Sequence, residues 1–163
     1  MTKVIAMIST IDVHIISWLR RYSVVLARLS LFVVFFWFGI LKIVSTSPAN
    51  PLVEALLHHT LPFISFERFI VLFGAYEMLI GIAFLIPGLE RIAIALLIPH
   101  TLTTVLPLFF LPQITWQSFL TPTLEGQYII KNCVIIALAF TIAAHLHPMK
   151  KEQDLNRSRV DTH

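Results

Sequence analysis

An all-α integral membrane protein, built as a bundle of four spanning helices, is the fold class that this sequence predicts. Three observations carry the expectation. Of the 163 residues, 57% are hydrophobic and only 13% are charged, and the mean hydropathy is +0.84. A soluble domain is about 45–50% apolar and about 25% charged. The apolar residues gather into four stretches, each close to the roughly 20 residues that cross a hydrocarbon core of about 30 Å. Lysine and arginine collect at the ends of these stretches and in the tails, where a membrane protein needs them. A soluble globular enzyme is thereby excluded. Four spans leave room only for loops and tails, so no separate catalytic domain is expected. The net charge of +3 belongs to span ends and is no sign of a nucleic-acid partner. The single cysteine, Cys133, excludes an internal disulfide, a CxxC redox pair and a thiolate zinc site.

Residues 1–22 predict an interfacial amphipathic segment. Ile5, Ile8, Ile11, Ile15 and Leu19 recur at helical spacing, while Asp12, His14 and Ser17 break the apolar run. That break, and the lack of a small-residue cleavage motif, argue against both a membrane span and a cleaved signal peptide. Trp18 is expected at headgroup level, with Arg20 and Arg21 on lipid phosphates. The membrane domain follows over 23–147, with spans at about 23–44, 66–86, 92–111 and 126–146. Between the first two spans a short amphipathic helix is expected at Leu52–Leu57. PGLER is a tight turn between the second and third spans. Pro99 and Pro107 lie inside the third, and Pro112 to Glu125 reads as a polar and aromatic loop. The tail, 148–163, is polar and charged.

Orientation follows from the basic residues. Lys3, Arg20 and Arg21 precede the first span, Arg91 lies in the loop between spans 2 and 3, and Lys150, Lys151, Arg157 and Arg159 lie in the tail. The other two loops carry almost none, Arg68 excepted. Both termini are therefore expected in the cytoplasm, which requires an even number of spans.

Ionisable side chains inside spans are costly and so face the bundle interior or a cavity. Arg28 and Lys42 lie near opposite ends of span 1, where each can snorkel to headgroups as an anchor. Glu77 is about 16 Å into span 2 at 1.5 Å per residue, too deep for a carboxylate to snorkel. Gly74 and Gly81 share its stripe, so that stripe should face other helices. His100 sits near the middle of span 3, with Thr103 and Thr104 on its stripe. Pro99 frees a carbonyl one turn earlier that a neighbouring polar group must satisfy. In span 4, Gln127 and Lys131 share one face and Tyr128 and Asn132 the adjacent one, with Glu125 at the outer mouth.

Glu77, His100, Thr104, Lys131 and Asn132 thus make a candidate polar pocket in the outer half of the bundle. A Glu77–Lys131 pair is the expected way to neutralise both charges, and Lys42 and Glu125 would form a second pair nearer the surface. Two readings stand side by side. The group is either a structural polar network that locks the helices, or a pocket in which His100 carries a proton or donates to a carbonyl. Phe35, Trp37 and Phe38 would line an apolar access path, or simply pack. Bis-histidine haem is not expected, since only His100 is deep. His58, His59 and Glu54 carry no metal-ligand spacing, and no metal is expected. No nucleotide-binding glycine motif or serine-nucleophile elbow is present.

Several segments resemble the DoxX-like membrane proteins, including their YkgB and DoxD branches. These are RLSLFVVFFWFGILK at Arg28–Lys42, NPLV at Asn50–Val53, the GxxExxxG pattern at Gly74–Gly81, IPHTLTTVLPLFFLP at Ile98–Pro112 and TLEGQYIIKN at Thr123–Asn132. The resemblance covers about Arg28 to His145 and implies a four-helix membrane bundle of the inner membrane. It also implies a place in redox or oxidative-stress metabolism, as a membrane subunit of a quinone-linked oxidoreductase or beside a soluble redox partner. Onto this sequence it carries Arg28, Lys42, Glu77, Glu125, Gly126 and Lys131. Such a pocket would take a quinone or another small redox-active species, and the sequence does not name the cofactor. The competing expectation is a non-enzymatic scaffold or assembly factor, and either form can be a homo-oligomer. A small transporter is disfavoured by the lack of an inverted repeat.

Overall fold

The computed structural model describes residues 2–146, with side chains from Ile11 onward. The expected polar tail lies outside the described residues, and so do the lysines and arginines by which it entered the orientation argument. In chain order the elements are α1 (Thr2–Ile43), α2 (Asn50–Thr60), α3 (Phe66–Leu85), α4 (Glu90–Val105), α5 (Pro107–Phe110), α6 (Pro112–Thr115), strands β1 (Trp116–Ser118) and β2 (Thr121–Pro122), and α7 (Leu124–Ala144). Four helical stretches are long and apolar enough to cross a membrane: Ile11–Ile43, Phe66–Leu85, Glu90–Phe110 and Leu124–Ala144. The last three fall where the sequence places its spans, and the first begins at Ile11, a dozen residues before its expected start at 23.

α1 runs without a break through the boundary expected between residues 22 and 23. The chain has no glycine or proline before Gly39, so nothing interrupts the i→i−4 ladder. α4 behaves differently. Pro107 has no N–H to continue it, and the helix pauses at Leu106 before α5 resumes the same course. The turn between α3 and α4 uses Gly88 at φ +92°, a region that favours glycine. The Glu90 carboxylate accepts the Gly88 N–H at 2.8 Å, which places an acid in the first turn of α4.

The four spans pack in the cyclic order α1, α3, α4, α7, and α1 against α3 is by far the most extensive contact. Their shared core joins Ala27, Leu31 and Phe35 of α1 to Ile80, Ala83 and Phe84 of α3, Ala93 and Leu97 of α4, and Ala139 and Ile142 of α7. The closest approach is between backbones. A Cβ on Gly39 would lie 2.6 Å from the Gly74 carbonyl oxygen, and one on Gly74 would lie 2.7 Å from that of Gly39. In hydrocarbon no hydrophobic force drives helices together, so this backbone proximity maximises the dispersion contact that does.

At the Lys42 end, α2 lies beside α3 and α5 and buries Leu56 and Leu57. It is longer than the expected Leu52–Leu57. The expected loop after Pro112 contains α6 and a two-stranded antiparallel hairpin. Thr115, fully buried, donates its hydroxyl to the Leu111 carbonyl at 3.0 Å, and Thr123 caps α7 through the Gly126 N–H at 3.1 Å. Gly126 lies so close to the Thr115 carbonyl oxygen that no side chain fits between them.

Gly74→Ala should lower stability by about 1–3 kcal/mol, the usual cost of overpacking. Gly88→Ala meets no atom within 4 Å and should cost only the left-handed backbone penalty of about 1–2 kcal/mol. Thermal unfolding of both variants in mild detergent measures the two costs. Separation of α1 from α3, seen as increased proteolysis, should accompany only Gly74→Ala.

Candidate functional site

Three ionisable side chains from three helices meet inside the bundle. The Lys42 ammonium on α1 donates to Glu77 Oε2 on α3 at 2.6 Å. The other carboxylate oxygen, Oε1, lies 2.9 Å from His100 Nε2 on α4. Lys42, Glu77 and His100 are 5%, 5% and 7% exposed, so the cluster is sealed from its surroundings. Glu77 thus uses both carboxylate oxygens at once, one on the Lys42 ammonium and one on the His100 ring.

Local geometry brings the pair together. Gly39 and Gly74 face each other in antiparallel helices, and each precedes its charged residue by three positions. Side chains lean toward the N-terminus of their own helix. In antiparallel helices Lys42 and Glu77 therefore lean toward each other, and the four-carbon lysine stem covers the remaining offset. Aromatic rings close around the histidine. Phe73 stacks on His100 with centroids 5.4 Å apart and planes 7° apart, and Phe35 meets it edge-on at 5.2 Å. The Lys42 ammonium lies 5.6 Å from the Phe73 ring centroid, a cation–π contact that adds to the ion pair. Tyr76 lies 6.3 Å from His100 and donates its hydroxyl to the Leu96 carbonyl at 2.6 Å. The carbonyl that Pro99 deprives of its amide partner is that of Ala95, so the tyrosine binds its neighbour in the turn that the proline loosens.

The expected charge partners are therefore corrected. Glu77 pairs with Lys42 and not with Lys131, and Lys42 does not pair with Glu125. The reason is the face that α7 presents. Gly126 and Ile129 are its buried positions in the first turns, and Lys131 lies about 200° round the helix from Ile129. Lys131, Glu125, Gln127 and Tyr128 are all exposed. The Lys131 ammonium rests 5.5 Å from the Tyr128 ring centroid and forms no ion pair with a described residue. Asn132 does turn inward. Its amide nitrogen lies 3.5 Å from the Thr104 hydroxyl, joining α7 to α4 one turn along from His100. Of the three aromatics expected at an access path, Phe35 reaches the cluster, whereas Trp37 and Phe38 face outward at 63% and 44% exposed.

Arg28 is not a free anchor. Its guanidinium donates to the carbonyls of Phe84 at 2.8 Å and Leu85 at 3.1 Å, and pairs with Glu90 at 2.8 Å. It thus satisfies carbonyls at the C-terminal end of α3 and ties them to the start of α4. Glu90, Phe73 and Tyr76 were not singled out in the sequence. A glutamate two residues after the glycine of a PG turn was the signal for the first. Phe73 and Tyr76 carry none beyond lying four and one residues before Glu77.

Among the described residues no group of three metal-ligating side chains converges. Comparison of the chain with known protein families, with curated proteins and with solved structures finds no match in any of the three.

Removing one member of a buried ion pair strands the other charge and costs about 3–5 kcal/mol. Lys42→Met and Glu77→Gln should each cost that much. The double variant should be substantially more stable than the two losses added together. Unfolding free energies of the four proteins in one detergent form the cycle, and simple additivity would show that the pair is not coupled.

Proposed function

We propose that this chain is a DoxX-like multi-pass protein of a bacterial-type inner membrane, with both termini in the cytoplasm. In this reading it is a membrane subunit of redox or oxidative-stress metabolism, and the Lys42–Glu77–His100 cluster moves protons for a quinone or another small redox-active species. One observation carries the proposal: the buried carboxylate holds a histidine on one oxygen and an ammonium on the other. An ion pair is enough to neutralise a charge in hydrocarbon. The histidine adds the side chain best suited to taking and releasing a proton near neutral pH. Ionisable groups at this depth are functional candidates by default.

The chemistry follows from the groups available. Reduction of a quinone to a quinol takes two electrons and two protons. In this reading a soluble redox partner supplies the electrons. With Nε2 held on Glu77, His100 would work through Nδ1: an imidazolium would give its Nδ1 proton to a quinone carbonyl oxygen, return to the neutral ring and take the next proton at Nδ1 from solvent, while Glu77 and Lys42 hold the ring in place. Thr104 and Asn132 would orient the second carbonyl from the α4–α7 seam. Lys131, on the opposite face of α7, has no part in this reading.

The second reading is a scaffold or assembly factor for soluble partners. It is favoured by the complete internal pairing of Glu77, which leaves neither carboxylate oxygen facing outward.

Mass spectrometry of protein purified in mild detergent, beside an unrelated four-span control, separates the two. A stoichiometric quinone is expected from the native chain. It should be absent from the Lys42→Met, Glu77→Gln double variant, which loses both charges while keeping its fold. Copurifying soluble proteins with no small molecule, unchanged in that variant, would replace the redox reading with the scaffold.

A further inference from the structure

The first helix is about twice as long as a membrane requires. Its 42 residues measure about 63 Å, against a hydrocarbon core of about 30 Å. The level of Arg28, bound to Leu85 and Glu90, marks the end of the bundle. The chain on the N-terminal side of that level therefore runs past every other span, and it does so as unbroken helix.

One face of this helix is apolar and uncovered. Ile15, Leu19, Tyr22, Leu26, Leu29 and Val33 are 52%, 44%, 38%, 46%, 43% and 57% exposed. They are spaced four, three, four, three and four residues apart, the a/d alternation of a coiled-coil seam. The seam lies about 160° round the helix from Ala27, Leu31 and Phe35, the face packed into the bundle. Lipid can cover its lower half. Ile15, Leu19 and Tyr22 lie beyond the bundle end, where a straight helix meets water.

The surface of the seam is also shaped for a helix. A shallow groove of about 380 Å³ is lined by Leu26, Leu29, Ser30, Val33 and Val34. The first four stand at i, i+3, i+4 and i+7, the four-residue hole that receives one knob from a facing helix. Ser30 is the small residue that opens it. In a parallel, in-register pair this hole belongs to the knob at Leu29. Two copies of one chain inserted with one topology have parallel first helices, so the register that the hole demands is the one that the membrane imposes. With side chains of this size about half exposed, the seam with Trp18 and Val25 beside it offers on the order of 800 Å² per copy. That is what a standard interface buries on each partner.

We propose that two copies of this chain pair through α1, parallel and in register from Ile15 to Val33, with Leu29 of each seated in the hole of the other. Asp12 falls on the next seam position and closes the apolar run. The pairing covers the apolar extension, which neither the bundle nor a straight path through lipid covers, and it leaves the buried Lys42–Glu77–His100 cluster untouched on the far side of α1.

Cysteine crosslinking in native membranes tests this, in a Cys133→Ser background. Facing seam positions bring Cα atoms within the roughly 4.4–6.8 Å that a disulfide spans. Tyr22→Cys and Leu29→Cys should give several-fold more crosslinked dimer than Ser17→Cys and Arg20→Cys. Ser30→Phe, which fills the hole from a lipid-exposed position, should lower energy transfer between differently labelled copies without changing the unfolding temperature. Crosslinking without this periodicity, a maximum at Tyr128→Cys on α7, or energy transfer unchanged by Ser30→Phe would overturn the proposal. So would strong quenching of Trp18 fluorescence by brominated lipid, which would place the extension along the membrane surface.

Discussion

The contact between Gly39 and Gly74 is the constraint on which the rest of this bundle depends. With no side chain on either residue, α1 and α3 approach until backbone meets backbone. That distance sets how far Lys42 must reach to neutralise Glu77, and it fixes the register that brings Arg28 to the last carbonyls of α3. A bulkier residue at either position would push the helices apart at the point where the buried charges meet. An ion pair in hydrocarbon is tolerable only at short range, because its attraction must offset the desolvation of both partners.

Two polar devices then hold opposite ends of the same pair of helices. At one end Arg28 bridges α3 and α4 through two carbonyls and Glu90, and Glu90 in turn holds the Gly88 turn. Toward the other, Glu77 bridges α1 and α4 through Lys42 and His100. The helix joined by neither is α7. Besides Ala139 and Ile142 in the shared core, its ties are the Asn132–Thr104 contact, the Thr123 cap and the Gly126 approach to Thr115. None of these ties pairs one charged side chain with another, unlike the links that Arg28 and Glu77 make among the other three spans.

Most of the architecture was legible in the chain. Four apolar stretches gave the number of membrane-length helices and the PGLER turn gave the break between the second and third, whereas the continuity of α1 across residues 22 and 23 was not foreseen. The candidate site was legible only in part. Glu77, His100, Thr104 and Asn132 were singled out by depth and are brought together, because polar groups at mid-span turn inward whatever their partners. Lys131 was placed with them on the same reasoning and faces the other way. It lies nearer a span end, where depth no longer dictates direction.

The sequence by itself determined that the chain carries four stretches long and apolar enough to cross a membrane, and which polar residues must be shielded, because those follow from hydropathy and from the cost of charge in hydrocarbon. The tertiary structure decided which residue shields which. Lys42 and Lys131 are equivalent partners for Glu77 in composition, charge and approximate depth. Only the rotation of each helix about its own axis distinguishes them. That rotation is fixed by contacts between helices, the glycine approach on α1 and α3 and the Gly126–Thr115 contact on α7, which no single stretch of sequence contains.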